Sequence, residues 1–327
     1  MSLTVDIEAE RFEIAGGFKI SRETRTHAQV IVVTLKDGGC TGRGECVPYP
    51  RYGESLESVQ GLIEEVAPLL RSGLSRQALQ DAMPAGAARN AVDCAMWDLE
   101  AKKTGKPVAE LAGIGPLKAV TTAFTISVDS PELMAEKTRA AAHRPLLKIK
   151  LAGPGDADRI AAVRQAAPDS TLIVDANEAW DPSCFEENMA ACAAAGVALI
   201  EQPLPSKDDG LLAEIDRPIA ICADESLHPG MGVDGLQGKY DAVNIKLDKA
   251  GGLTAAMELV KAAREREFRI MVGCMLGTSL AMAPAALIAQ QVDFVDLDGP
   301  LLLAQDRSPG LKFEGSTLYP PQPELWG

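Results

Sequence analysis

Histidine is scarce in this chain, with 3 among 327 residues, and none of His27, His143 or His228 ends an apolar run that reads as a strand. Surface or locally bonded roles suit them better than catalysis. There are seven cysteines (Cys40, Cys46, Cys94, Cys184, Cys192, Cys222, Cys274), an odd number with no CxxC spacing. That speaks against a disulfide framework and for free, mostly buried thiols in a reducing compartment. The opening stretch MSLTVDIEAERFEI has no apolar core of a signal peptide, so the expectation is a cytoplasmic protein. Basic charge is in deficit: 32 Lys and Arg against 46 Asp and Glu leave −14. This argues against nucleic acid or an anionic membrane as the main partner. Aromatic residues make up 4%, and Trp97, Trp180 and Trp326 follow no binding pattern, so they read as packing residues. One charge-free run, Ile270 to Ala289, has the 20 residues of a membrane span. It contains Gly273, Gly277, Thr278, Ser279 and Pro284, however, and breaks into strand, loop and helix.

What remains is the composition of a soluble globular protein, 46% hydrophobic and 24% charged. The length suffices for one large domain or two ordinary ones. The N-terminal part mixes strand and helix. Val30 to Leu35 (VIVVTL) is a β-branched run ending at the turn Lys36-Asp37-Gly38-Gly39. Leu56 to Leu70 and Ala87 to Lys103 read as helices. The second has an apolar stripe of Val92, Ala95, Met96 and Leu99, and Gly105 and Pro107 stop it.

From about Val120 short apolar runs alternate with Ala-rich helical patterns. The runs are Thr121–Ser127, Leu146–Leu151, Thr171–Asp175, Ala198–Glu201, Ile219–Ala223, Ala242–Lys246, Ile270–Cys274 and Phe294–Leu297. Polar end residues at 150, 175, 201, 224 and 246 are spaced by 25, 26, 23 and 22. Such a period predicts parallel βα units with both sheet faces covered, and eight of them suggest a closed barrel. An open doubly wound sheet is the alternative. It is disfavoured because no Gly-rich phosphate loop follows any strand.

In a βα barrel, chemistry sits at the C-terminal strand ends. Here LLKIKL carries Lys148 and Lys150 on one strand face. IVDAN ends in Asp175 with Asn177 just beyond, ALIEQP in Glu201, ICADES in Asp224 and AVNIKLDK in Lys246. Singly, such an acid is usually a helix N-cap and such a lysine an edge residue. Together they converge on one barrel mouth. Three carboxylates without His or Cys suit a hard divalent cation, Mg²⁺ before Zn²⁺. A lysine beside a metal and another lysine tends toward a lowered pKa and can act as a base. Lys150 and Lys246 would face each other across the mouth, an arrangement for removing and returning a proton α to a carboxylate. A Schiff-base aldolase using Lys148, Lys150 or Lys246 is the competing chemistry, and it leaves the three carboxylates without a task.

The series KIK, VDAN, IEQP, ADES and NIKLDKAGG resembles the enolase superfamily, in its muconate lactonizing enzyme-like branch. PYPRYGES (48–55), PAGAARNAVDCAMWDLEAK (84–102), GCMLGTS (273–279) and DLDGP (296–300) extend the likeness over nearly the whole chain and narrow it to dipeptide epimerases. The resemblance implies a (β/α)7β modified TIM barrel over residues 116–305, covered by an α+β capping domain of residues 1–115 that the tail 306–327 completes. It implies Mg²⁺ on Asp175, Glu201 and Asp224, with Lys150 and Lys246 as the acid/base pair. Lys148 is similar to the family lysine that helps hold the substrate carboxylate and lowers the pKa of Lys150. The substrate would be a small dipeptide, L-Ala-D/L-Glu favoured, within peptidoglycan recycling, and a homo-oligomer is left open. The same metal and lysines also serve o-succinylbenzoate synthase, N-acylamino acid racemase and muconate cycloisomerase.

The capping loop ISRETRTH holds Arg22 and Arg25, and Arg25 matches the arginine that binds the substrate glutamate side chain. Tyr49, Arg51 and Tyr52 look like a second loop, while Thr125, Cys274 and Met275 match pocket-lining positions. Lys19, Glu23 and Thr24 are not residues the family requires, and Gly277 could alter pocket width. In FVDLDGP, Asp296 and Asp298 are two residues apart and would share a strand face. With a carboxylate set for the metal already complete elsewhere, the cation expected between them is the substrate's own α-ammonium.

Overall fold

A computed structural model describes residues 3–327. The chain opens with an antiparallel meander: β1 (Thr4–Lys19), β2 (Thr24–Asp37) and β3 (Cys40–Cys46). β2 extends beyond the sequence expectation at both ends, since VIVVTL is only its buried centre. The tip of the β1–β2 hairpin is a four-residue loop, with Lys19 paired to Thr24 and the Ile20 N–H donating to the Glu23 carbonyl at 3.0 Å.

The helix Ala87–Thr104 lies on this meander and ends at Gly105, whose φ of 70° is the left-handed stop that glycine allows. Its predicted stripe was too narrow. Ala88, Ala91, Val92, Ala95 and Leu99 pack on the meander, while Cys94, Trp97 and Ala101 belong to the barrel's core. A helix buried on two sides cannot show a single amphipathic face. The meander approaches closely because β3 carries glycine there: a Cβ at Gly44 would stand 2.1 Å from the Ala91 carbonyl oxygen.

Eight parallel strands follow. After β4 (Val120–Thr121) come β5 (Phe124–Ile126), β6 (Leu146–Lys150), β7 (Thr171–Asp175) and β8 (Leu199–Glu201). The set continues with β9 (Ile221–Ala223), β10 (Ala242–Lys246), β11 (Arg269–Gly273) and β12 (Phe294–Val295). Strands β5 to β12 pair in consecutive order, and the Ala123 N–H donates to the Val295 carbonyl at 2.8 Å, joining the first strand to the last. The open doubly wound alternative is thereby excluded.

The first predicted strand, Thr121–Ser127, is in fact two. Val120–Thr121 turns away to pair antiparallel with β14 (Thr317–Leu318), itself paired with β13 (Phe313–Glu314). Two crossovers expected as α-helices are short 3₁₀ turns, Gly210–Ala213 and Asp234–Leu236, which helps so few residues complete the barrel. The charge-free run 270–289 resolves into β11, a loop and the helix Ser279–Ile288. No helix among the described residues is long and apolar enough to cross a membrane. The tail returns to the Ala87–Thr104 helix, where Trp326 Nε1 donates to the Cys94 carbonyl at 3.0 Å.

Side-chain alternation explains why polar residues gather at one end. Ala123, Leu146, Ile173, Leu199, Cys222, Ala242, Met271 and Phe294, one from each strand position, form a separate plug inside the barrel. Two residues further along, the inward positions are Lys148, Asp175, Glu201, Asp224, Asn244 and Asp296. The intervening Leu147, Val174, Ile200, Ala223, Val243, Val272 and Val295 pack outward in the main core.

Candidate active site

The floor of the mouth is a set of buried ions. Asp175, Glu201 and Asp224 are 0%, 1% and 3% exposed, so no water offsets their mutual repulsion. Lysines do so instead. Lys150 Nζ donates to Asp175 Oδ2 at 2.6 Å, and Lys246 Nζ to Asp224 Oδ2 at 2.7 Å. Lys249 also donates to the Asp224 carboxylate, at 2.5 Å. Lys148 Nζ lies 2.6 Å from Glu201 Oε2, 3.2 Å from Asp175 Oδ2 and 2.7 Å from Asp296 Oδ2.

These contacts set the electrostatics. Burial works against the Lys148 ammonium, but Asp296, Glu201 and Asp175 outweigh it and raise its pKa well above the ordinary lysine value. Lys246 is raised likewise, burial being overcome chiefly by Asp224 and Glu201. Carboxylates are thus the nearest charges to both lysines. Burial works against the Asp224 carboxylate, but Lys246 and Lys249 outweigh it and hold its pKa well below the carboxylate range. Glu201 goes the other way, pushed up to about 8 by burial and by Asp175, with Lys148 only partly compensating.

The donor set fits a hard cation. Adjacent strands bring Asp175 opposite Glu201 in register, and Glu201 Oε2 is buried and close to Lys148 without an aligned hydrogen bond. Asn244 Nδ2 holds the other oxygen, Glu201 Oε1, at 2.7 Å. No group of three such side chains among the described residues is already gathered closely enough to hold an ion, since lysines engage all three carboxylates. Three buried carboxylates that offer only oxygen donors, with no His or Cys beside them, match Mg²⁺ chemistry.

Above this floor is a cavity. It is lined by Lys148, Lys150, Asp224 and Lys246 together with Asp296, Asp298, Thr125, Asn177, Cys274, Met275, Tyr52 and Arg25, all singled out from sequence. Asp175 and Glu201 lie beneath it, covered by lysines. Among the described residues, no histidine lines it.

Asp296 and Asp298 face the cavity together, and a cation of the protein already meets one of them. Lys148 reaches Asp296 Oδ2 from β6, across the barrel seam. Asp296 Oδ1 remains buried without a donor. Asp298 Oδ2 accepts from the Thr125 N–H at 2.6 Å, while burial and the Asp296 charge push its pKa up to about 7.

Several residues of the site went unnoticed in the sequence. Glu225, next to Asp224, lines the cavity and accepts from Arg22 Nη2 at 2.8 Å. Asn244 and Lys249 belong to the same segment as Lys246, on its strand face and three residues beyond, which was the available signal. Glu178, with φ of 67°, takes Arg51 through both its oxygens at 2.8 and 3.0 Å, and Arg22 at 2.9 Å. Two capping segments are thus tied to the barrel rim by one carboxylate.

The fold and site define an acid/base enzyme on a capped βα barrel. The mandelate racemase / muconate lactonizing enzyme N-terminal domain model matches residues 2–113, and the enolase C-terminal domain-like model matches residues 132–321. The chain belongs to this enolase-type family. It is similar to the L-Ala-D/L-Glu epimerase of Escherichia coli K12, 46% identical over 318 residues that cover 97% of this chain and 99% of the relative. It is similar also to an N-acetyl-D-glutamate racemase of a Pseudoalteromonas species, 45% identical over 91% of this chain and 95% of the relative. Among solved structures, an enolase family member from Agrobacterium tumefaciens with homology to dipeptide epimerases, containing sodium and L-Ala-L-Glu, matches with a TM-score of 0.98 and 55% identity, covering 99% of this chain and 100% of that one. The dipeptide epimerase of Enterococcus faecalis V583, complexed with Mg and L-Leu-L-Tyr, matches with a TM-score of 0.90 at 28% identity, covering 98% of each chain.

Proposed function

We propose that this chain epimerises dipeptides at the α-carbon of the C-terminal residue by Mg²⁺-dependent 1,1-proton transfer, with L-Ala-D/L-Glu as the favoured substrate. The observation that carries this reading is that Lys150 and Lys246 open on one cavity from β6 and β10, four strands apart in a ring of eight. An α-carbon held between them presents one face to each, so one lysine removes the proton and the other returns it. Asp175, Glu201 and Asp224 would hold Mg²⁺, which supplies positive charge at the substrate carboxylate, where the carbanion's charge is delocalised. Lys148 adds its own ammonium to that end of the site.

Asp296 and Asp298 take the dipeptide's α-ammonium, and the free Asp296 Oδ1 supports that role. Arg25 meets the glutamate side chain, and Thr125, Asn177, Cys274, Met275 and Tyr52 shape the walls. Residues 1–115 and 306–327 act as the cap over a barrel of 116–305. The reading extends to a cytoplasmic enzyme of peptidoglycan-peptide recycling, with homo-oligomerisation open.

The Pseudoalteromonas relative favours a second reading, racemisation of N-acetylglutamate on the same lysines. An acetyl group brings no ammonium, so it would leave Asp296 Oδ1 unpartnered. A Schiff-base aldolase would leave Asp175, Glu201 and Asp224 without a task. Incubation of L-Ala-L-Glu and of N-acetylglutamate in D₂O with Mg²⁺, read by mass spectrometry and chiral separation, tests the readings. Deuterated epimer from the dipeptide is expected. Lys150→Ala and Lys246→Ala should each lose epimerisation while exchanging the α-proton of only one epimer. Full epimerisation by either variant would sink the proposal.

A further inference from the structure

We infer that Glu23 is a built-in competitor for Arg25, and that it sets how strongly this enzyme prefers an acidic side chain on its substrate. The inference deepens the dipeptide reading above and rests on it.

Two arginines line the capped side of the cavity, and they are not equivalent. Arg22 is committed: Nη1 donates to Glu178 Oε2 at 2.9 Å and to the Asn177 carbonyl at 2.8 Å, and Nη2 to Glu225 at 2.8 Å. Burial opposes its charge, but Glu225 raises its pKa above the usual arginine value. Arg25 has one acidic partner, Glu23, whose Oε1 lies 2.6 Å from Nη2. The pairing follows from local geometry. Glu23 closes the hairpin turn with Ile20 immediately before β2, two residues from Arg25. Tyr49 supports both partners, its ring 4.8 Å from the Arg25 guanidinium carbon and its hydroxyl donating to Glu23 Oε1 at 3.4 Å.

A substrate carboxylate that takes Nη2 of Arg25 therefore displaces a carboxylate already there. Glu23 has somewhere to go. It and Arg25 also line an outer groove that holds Arg11 and His27. The exchange is one carboxylate for another, so the gain from an acidic side chain is reduced by the loss of the internal pair. A neutral side chain needs no such exchange. Because specificity is a difference of affinities, Glu23 compresses the preference for glutamate over its neutral isostere.

The test compares kcat/KM for L-Ala-L-Glu and L-Ala-L-Gln in the Mg²⁺-supplemented wild-type protein, Glu23→Gln and Glu23→Gly. A partly exposed pair of this kind is worth up to about 1 kcal/mol, so the acidic-to-neutral ratio should rise about fivefold in both variants. An unchanged or lower ratio overturns the inference, because Glu23 would then orient Arg25 rather than compete for it. Calorimetric binding of the same two dipeptides reads the same ratio without turnover. If the wild-type protein turns over neither dipeptide, the epimerase reading fails while the binding ratio still decides the role of Glu23. Failure of both dipeptides to bind overturns both.

Discussion

Lys148 Nζ, on β6, donates to Asp296 Oδ2, just beyond β12, at 2.7 Å, and the two side chains are 2% and 6% exposed. One buried ammonium therefore joins the carboxylates of the floor to the aspartates of the wall. It balances part of a charge cluster that could not otherwise stay ionised out of water. It also leaves a defined vacancy of charge, because only one oxygen of Asp296 is used.

Asp298→Asn is expected to weaken dipeptide use while sparing Mg²⁺. A hydrogen bond to a charged group contributes roughly 1.5–3 kcal/mol, so KM for L-Ala-L-Glu should rise about 10- to 100-fold. Asp298 in the wild-type protein has a pKa pushed up to about 7, so its proton must leave before it can pair with an ammonium. Dipeptide affinity should fall as pH drops from 8 to 6, and the variant should lose that dependence. Calorimetric titration with Mg²⁺ and with dipeptide separates the effects. A collapse of Mg²⁺ affinity would contradict this role.

Glu178→Ala removes the carboxylate that receives both Arg22 and Arg51 from the cap. The capping segments should close less readily, raising KM roughly tenfold on the same scale of charge-assisted bonds. Limited proteolysis at the 20–25 loop, slowed by dipeptide in the wild-type protein, should lose that protection. Unaltered KM and cleavage would remove Glu178 from the closure.

Asp248 joins cap to barrel, accepting from the Val47 N–H at 3.0 Å and from Asn90 Nδ2 at 2.9 Å. Burial raises its pKa to about 7, against roughly 3.9 for an unfolded aspartate. The folded state then holds a proton that the unfolded state releases, so this group lowers stability as pH rises from about 4 to about 7 and is constant outside that window. Three units correspond to about 4 kcal/mol at most. Asp248→Asn should gain stability relative to wild type at pH 8 compared with pH 5 in urea unfolding. Equal differences at both pH values would argue that Asp248 is ionised at no cost.

Gly44→Ala tests the cap's packing. Its Cβ would meet the Ala91 carbonyl oxygen at 2.1 Å and the Ala95 nitrogen at 2.7 Å, and backbone cannot yield as a side chain can. A loss of about 3 kcal/mol is expected, read as a lowered Tm. A Tm within a degree of wild type would mean that meander and helix separate easily.

The strand ends were legible because parallel strands buried on both faces repeat at the βα period, leaving Lys150, Asp175, Glu201, Asp224 and Lys246 conspicuous in apolar runs. Side-chain alternation then dictated that these residues share the barrel interior, and the family motifs supplied their expected roles. Tertiary structure decided what no local pattern carries. It brought Lys148 to Asp296 across the barrel seam, a relation between residues 148 positions apart. It bound Arg22 and Arg51 to Glu178, and left Arg25 with Glu23 as its one acidic partner among the described residues. Strand periodicity reports which face a side chain takes, but not which charge from a distant loop or strand will meet it there. In a buried site that choice follows from closing the whole barrel under its cap, where every ion must find a partner out of water.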